Sequence, residues 1–277
     1  MGIVITDPAH LGLAQLLELE RLEENLFRGS CHQGSPQRAF GGQVAAQALT
    51  AAGATVPAER GVHSLHGYFI RGGRTDMPIV YEVERTRDGG SFTTRRVVAI
   101  QNGESIFSLS ASFQKAAESS EHQAQMPEVP GPDEIATVET EESAVVLAAI
   151  EVRFISDPVA GLPDVGHGPR QRVWVRAKDS LPDNPLAHVC ALTYISDIRL
   201  AGTAWLPHRG DPGRPQLTSL DHAVWFHRPF RADEWLLFDM ESPTYAGTRG
   251  LAHGEFFTTD GRLVASVTQE VLLRQRL

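Results

Sequence analysis

The 277-residue sequence predicts an α+β fold built twice in tandem, with two long helices wrapped by antiparallel sheets that join into one. Three observations lead there. The pair Ser64-Leu65 returns as Ser219-Leu220 and Gln114 returns as Gln269, each displaced by 155 residues (219 − 64 and 269 − 114). Between these anchors both halves read as an apolar strand, a longer strand after a glycine-containing turn, and a last strand after Asn102-Gly103 or Asp260-Gly261, dipeptides that favour hairpins. Upstream of each strand set lies one apolar helical segment, and a helix laid on a meandering sheet closes a core with few elements.

In chain order, the opening MGIVITDPAH lacks a basic region followed by an apolar stretch and is no secretory signal. Met1-Gly2 with Thr6 fits the loose myristoylation pattern and the closing Gln275-Arg276-Leu277 has only the general form of a peroxisomal tripeptide; both read as ordinary termini. The alanine-rich residues 41–56 predict the first helix. The second is predicted over 186–205, where Leu186, Val189, Leu192, Ile195 and Ile198 recur at mostly three-residue steps. Residues 115–143 carry prolines and many acids without apolar periodicity, so they read as an exposed connection. The chain then divides into an N-terminal unit, 1–115, a linker, 116–143, and a C-terminal unit, 144–277. Its longest apolar run, Ala144 to Ile150, is far short of the roughly 20 residues that span a membrane.

With 42% hydrophobic and 21% charged residues the composition is that of a soluble globular protein. A net charge of −9 speaks against a nucleic-acid partner, whose footprint is basic. Two cysteines, Cys31 and Cys190, make neither a disulfide framework nor a zinc pair and suit a reducing, cytoplasmic setting. Large sheets expose faces that need cover, so a homo-oligomer, dimer or tetramer, is expected.

The stretch SLDHAVWFHRPF, residues 219–230, sets a hydroxyl, a carboxylate and two imidazoles close together. No G-x-S-x-G elbow, the usual mark of a serine hydrolase nucleophile, accompanies it. Strand periodicity places Ser219, Asp221, Ala223 and Trp225 on one face and Leu220, His222 and Val224 on the other, so Ser219 and His222 point apart and form no local triad. His222 and His227 lack the helical H-x-x-x-H spacing of metal ligands and read as hydrogen-bonding members of the strand, while Asp221 serves strand pairing. Tyr68, Phe69, Trp225 and Phe226 either shape a ligand pocket or serve core and interface packing, the commoner role of such aromatics. Asp197, set in the apolar CALTYISDIRLAG, is the unusual residue: either it has a functional reason to be there or it lies on an exposed face beside Arg199. Gln269 closes the apolar LVASVTQ strand.

These blocks, taken with FGGQ, VHSLHGYFIRGG, RDGGSFTTRRVVAIQNG, ASFQ, YISD, EWLLF and GEFFTTDGRLVASVTQE, resemble in content and order the type II (TesB-like) acyl-CoA thioesterase family. The resemblance implies a double hotdog fold, in which an antiparallel sheet wraps a central helix in each half. It also implies an active site of an aspartate, a threonine or serine, and a glutamine, which fall here on Asp197, Ser219 and Gln269.

The implied reaction is hydrolysis of fatty acyl-CoA, medium to long in chain, by water activated at that Asp/Ser/Gln set, with no cofactor and no metal. Asp197 suits the base if burial raises its pKa, and Ser219 and Gln269 suit orientation by hydrogen bonding. The first helix contains no carboxylate, so chemistry is expected in the second half although Ser64 and Gln114 repeat the pattern. Arg71, Arg74, Arg228 and Arg231 either contact the phosphates of coenzyme A or pair with neighbouring acids. The alternative function is a non-hydrolytic hotdog protein that binds acyl thioesters or acts like a dehydratase, for which His188 is the candidate base.

Overall fold

A computed structural model describes residues 12–32, 38–135, 148–156, 169–208, 211–212 and 214–276. The myristoylation pattern at 1–6, residues 144–147 of the apolar run, the linker residues 136–143 and Leu277 lie outside the described residues.

The first half runs from α1 (Leu13–Leu17) through the strands β1 (Glu20–Glu23) and β2 (Leu26–Gly29) into α2 (Gly41–Gly53). It continues with β3 (Arg60–Phe69), β4 (Ile79–Asp88), β5 (Phe92–Gln101) and β6 (Glu104–Lys115). The second half has β7 (Ile150–Ser156), β8 (Arg170–Ala177), α3 (Pro185–Ser196) and the single turn α4 (Leu200–Thr203). Five strands complete it, β9 (Arg214–Ser219), β10 (Asp221–Phe226), β11 (Leu236–Ala246), β12 (Arg249–Thr258) and β13 (Leu263–Arg276).

One antiparallel sheet holds both halves, in the order β1-β2-β4-β5-β6-β3-β10-β13-β12-β11-β8-β7, with β9 paired to β13. Read outward from β3 and from β10 the order is the same, so the sequence repeat is a repeat of structure. The halves are zipped by β3 and β10, from Asp221 opposite Tyr68 to Trp225 opposite Ser64.

The hairpin signals act as expected for one dipeptide and differently for the other. Asn102 and Gly103, with φ of 50° and 76°, form a two-residue turn between the paired Gln101 and Glu104. Asp260-Gly261 lies in a longer loop in which only Gly261 takes a positive φ, 86°.

The two helices share the inside of the sheet and run antiparallel, since Gly42 lies against Tyr194 and Asp197 while Gly53 lies against Leu186. Both are buried nearly all round, as the mixed apolar and alanine sequences allow. Leu49 and Leu192, each wholly buried, contribute about 1.5–3 kcal/mol apiece. The second helix is shorter than its periodicity predicts. It ends at Ser196, Asp197 closes it with φ −85° and ψ −8°, and Arg199 at φ 64° turns the chain before α4. Asp197 therefore stands at a helix end and not in a helix interior.

Part of the connecting segment is held down. Met126, Val129 and Ile135 pack on Trp174, Leu237, Phe257 and Leu263 on the sheet face away from the helices, and Trp174 Nε1 donates to the Pro130 carbonyl at 2.9 Å. No helix among the described residues is long and apolar enough to cross a membrane.

The C-terminal end of α2 is fastened by Arg95, a guanidinium with 1% exposure. Its Nε donates to Thr55 Oγ1 at 2.9 Å and its Nη2 to the Thr55 carbonyl at 3.1 Å and to Asp88 Oδ1 at 2.8 Å. Arg95→Met keeps the apolar stem but strands the Thr55 acceptors, so it is expected to lower the unfolding free energy by about 2–3 kcal/mol, read as a lower urea midpoint at unchanged slope.

Candidate active site

A helix start exposes backbone N–H groups that no residue of the helix can satisfy. At α2 the N-cap position is Phe40, which has no side-chain acceptor. The acceptor comes from the other half of the chain: Gly42 N–H donates to Asp197 Oδ2 at 2.7 Å. The approach requires glycine, because a Cβ at Gly42 would lie 2.5 Å from the Tyr194 carbonyl and one at Gly41 would lie 2.8 Å from Asp197 Oδ2.

The other carboxylate oxygen, Oδ1, accepts from Gln269 Nε2 at 2.5 Å. Asp197 is 9% exposed and Gln269 wholly buried. Burial raises the Asp197 pKa to about 6, outweighing the hydrogen bonds from Gln269 and Gly42, which lower it. The positive end of α2 favours the ionised form as well. The site thus keeps a carboxylate close to its titration point near neutral pH.

The strand that carries Ser219 is not regular. Ser219 pairs with Val271 and Ala223 with Thr268, so four steps along one strand match three along β13. This is a bulge. Leu220 N–H still donates to the Glu270 carbonyl at 2.9 Å, and the Glu270 N–H is taken by the Asp221 carboxylate at 2.6 Å. Asp221 accordingly serves strand pairing, as its sequence position suggests.

The bulge overturns the expectation that Ser219 and His222 point to opposite faces. Directly paired residues share a face, and Val271, opposite Ser219, is wholly buried, as is His222. Both side chains therefore belong to the helix-facing side, where Gln269 also lies. Ser219 is half-buried, and among the described residues its hydroxyl makes no hydrogen bond to Asp197 or Gln269. The geometry joins Asp197 directly to Gln269 and places Ser219 on the same face of the sheet, opposite Val271, two residues along β13 from Gln269.

His222, read from sequence as a strand member, stands next to the carboxylate. Its Nδ1 is 4.0 Å from Asp197 Oδ1 and its Nε2 is 2.8 Å from Ser196 Oγ. Burial lowers its pKa to about 4, so it is neutral at pH 7. A signal existed in the sequence, an ionisable side chain on the apolar face of a strand. Gly42 had one too, the glycine pair inside FGGQ.

Other candidates lie elsewhere. His188, nine residues before Asp197 on α3 and so about 13 Å away along the axis, accepts from the Ala232 N–H at 3.2 Å. His227 contacts Ser266 Oγ. Arg71 pairs with Glu104, Arg74 with Asp76, Arg228 with Glu121, and Arg231 with Asp183 and Asp233. Ser64 pairs with Ser112 and Gln114 with Gly61 on strands of the first half, whose α2 has no carboxylate. A cavity of about 380 Å³ lined by Leu17, Thr50, Leu181, Leu186 and Cys190 lies at the far end of the helix pair from Asp197. Among the described residues no cluster of three or more His, Cys, Asp or Glu is placed to hold a metal.

Comparison with known proteins identifies the family. A family profile described as acyl-CoA thioesterase matches residues 152–272, and one described as acyl-CoA thioesterase N-terminal domain matches residues 31–114. The chain is 41% identical to acyl-coenzyme A thioesterase 8 of Homo sapiens, over 94% of this chain and 88% of that protein. It is 35% identical to acyl-CoA thioesterase 2 of Haemophilus influenzae, over 95% and 96% respectively. Among solved structures, the acyl-CoA thioesterase II TesB2 of Mycobacterium marinum superposes with a TM-score of 0.83 at 47% identity, covering 95% of this chain and 97% of that one.

Burial of the carboxylate has a measurable consequence. The Asp197 pKa is about 6 in the fold against an ordinary 3.8, so the stability its neutral form contributes is complete below pH 4 and is lost as pH rises through 6. A rise of this size is worth about 3 kcal/mol. Asp197→Asn, neutral at every pH, is expected to match the parent near pH 4 and to exceed it by about 2–3 kcal/mol at pH 7.5 in urea unfolding. A stability difference that does not change with pH contradicts a buried, destabilised carboxylate.

Proposed function

Since the chain belongs to the acyl-CoA thioesterase family and is an acyl-CoA thioesterase, we propose that it hydrolyses medium- to long-chain fatty acyl-CoA with Asp197 as general base. The observation that carries this reading is the Asp197 carboxylate, buried at the head of α2, fixed by Gly42 and Gln269 and raised to about 6. A base works best when its pKa lies near the operating pH.

Asp197 takes a proton from water, and the water oxygen forms its bond to the thioester carbonyl carbon. Collapse of the tetrahedral intermediate breaks the carbon–sulfur bond, and coenzyme A leaves as a thiolate, acceptable because thiol pKa values lie near 8.5. The proton held by Asp197 then passes to the thiolate, which restores the base. Gln269 orients the carboxylate through its Nε2, and Ser219 orients water from the same face of the sheet. The positive end of α2 favours the negative charge that develops on the carbonyl oxygen.

Phe40 and Phe69, both partly buried beside the head of α2, favour an apolar acyl group. Arg71, Arg74, Arg228 and Arg231 are engaged by acids, which favours other groups for the nucleotide of coenzyme A. The dehydratase-like alternative loses support, because its base His188 stands away from Asp197 with Nδ1 occupied by the Ala232 N–H. The proposal includes a cytoplasmic location, which suits the two free cysteines. It also includes a homo-oligomer. Tyr68 and Trp225, exposed on the adjacent strands β3 and β10, favour this, and sedimentation as a single chain would refute it.

Release of free thiol from acyl-CoA esters of graded length tests the activity and its chain preference together. Turnover is expected to rise tenfold per pH unit below about 6 and to level above it, following ionisation of Asp197. Asp197→Asn is expected to cost a factor on the order of 10² or more in kcat. Gln269→Ala and Ser219→Ala should cost less, since each orients and neither deprotonates, while Gln114→Ala should stay within a few-fold. A folded Asp197→Asn with near-normal turnover would refute the assignment.

A further inference from the structure

We propose that His222 is a positioning residue for the reaction: its neutral ring is locked in one tautomer, and the bare Nδ1 faces Asp197 and accepts a hydrogen bond from that carboxyl group once it has taken the proton of water. This rests on the reading of Asp197 as the base.

The lock can be followed atom by atom from the end of α3. The Thr193 carbonyl would ordinarily accept from the N–H four residues on, that of Asp197. That N–H is turned to the Ile195 carbonyl by the helix end. The buried Thr193 oxygen is satisfied instead by the Ser196 hydroxyl, which donates to it at 2.9 Å. A serine hydroxyl has one proton to give. With that proton committed, Ser196 Oγ can only accept at its 2.8 Å contact with His222 Nε2, so Nε2 carries the ring proton and Nδ1 keeps a lone pair.

That lone pair is buried, has no partner among the described residues, and lies 4.0 Å from Asp197 Oδ1. Around this lone pair, α3 supplies Ser196 and Asp197, β13 supplies Gln269 and β3 the paired residue Gly67; the carboxylate in turn meets the Gly42 N–H and lies close enough to the Tyr194 phenol to affect it. Of these, Asp197 alone ionises near neutral pH, because burial raises the Tyr194 phenol well above its ordinary value. The imidazole itself stays neutral through the working range, so it offers the carboxylate no positive charge.

An acceptor aimed at a carboxylate disfavours the ionised form and favours the protonated one. His222 therefore makes Asp197 a stronger base and holds the proton ready for the departing thiolate. The separation is long for a hydrogen bond, as such contacts commonly are without substrate, and it tightens in the complex.

The tautomer can be read directly in the unmodified protein by ¹⁵N NMR of labelled histidine, with protonated Nε2 and bare Nδ1 expected for His222. This measurement does not depend on which residue is the base. Its kinetic counterpart is Ser196→Ala, which frees the ring to place its proton on Nδ1 and donate to Asp197. The acidic limb of the kcat profile should then move down by about one pH unit, with a several-fold lower plateau, and Ser196→Thr, which keeps the hydroxyl, should restore both. A protonated Nδ1 in the unmodified protein, or a limb in folded Ser196→Ala that coincides with the parent, overturns the proposal. Should Asp197→Asn keep its turnover while NMR still finds bare Nδ1, the base assignment fails and this role for His222 falls with it, leaving only the tautomer.

Discussion

The hydrogen bond from Gly42 N–H to the Asp197 carboxylate is the contact on which the rest of the structure depends. It closes a helix that has no local cap, and it does so with a residue from the other copy of the repeat. The two helices must then lie antiparallel and close enough for glycine alone to fit at the junction. The continuous sheet follows, since β3 and β10 pair directly beneath that helix pair. The first half thus lacks a cap that the second half holds.

The same junction is an unfavourable place for a charge, and this connects packing to chemistry. The N–H of Gly42 and the amide of Gln269 favour the ionised Asp197, but its removal from water outweighs them. A carboxylate capping an exposed helix would be more acidic than usual. Here burial makes it less acidic, which is the property a general base at neutral pH requires. The bulge at Leu220 adds the second requirement. One extra residue lets Ser219 and His222 face the helices together, while Asp221 satisfies the Glu270 N–H that the irregularity frees.

The architecture was legible because its signals are local. Strand alternation, the two apolar helical segments, and the Asn102-Gly103 turn each depend on a few neighbouring residues, and the repeat made them mutually reinforcing. Asp197 was legible as an anomaly, a charge in apolar surroundings. What it touches was not, because its partners Gly42 and Gln269 are 155 and 72 residues away. A period of two assigns Ser219 and His222 to opposite faces because it assumes an unbroken strand, and nothing in SLDHAV marks the inserted residue. The apolar spacing of the second helix extends it past its true end, because that spacing continues beyond the left-handed turn at Arg199. β1 offered no alternation to read, since all four of its residues are exposed.

The two copies differ in structure beyond the carboxylate that α2 lacks. The reciprocal junction, where the end of α2 meets the start of α3, is built from different parts. There α3 is capped locally, by Asn184 accepting from the Leu186 N–H at 3.1 Å with Pro185 in the first turn. It has no need of a carboxylate from the other half. The end of α2 presents Gly53 instead, against which Leu186 packs so closely that a Cβ would lie 2.5 Å from its Cδ2. An acid at that position would displace Leu186 and cap nothing. With α3 capped by its own residues, the opposing position serves packing, and Ser64 and Gln114 lie paired in the strands β3 and β6. The junction at Asp197 has no such local cap and is built from both copies: the first supplies the helix head, and the second the carboxylate and the amide that holds it.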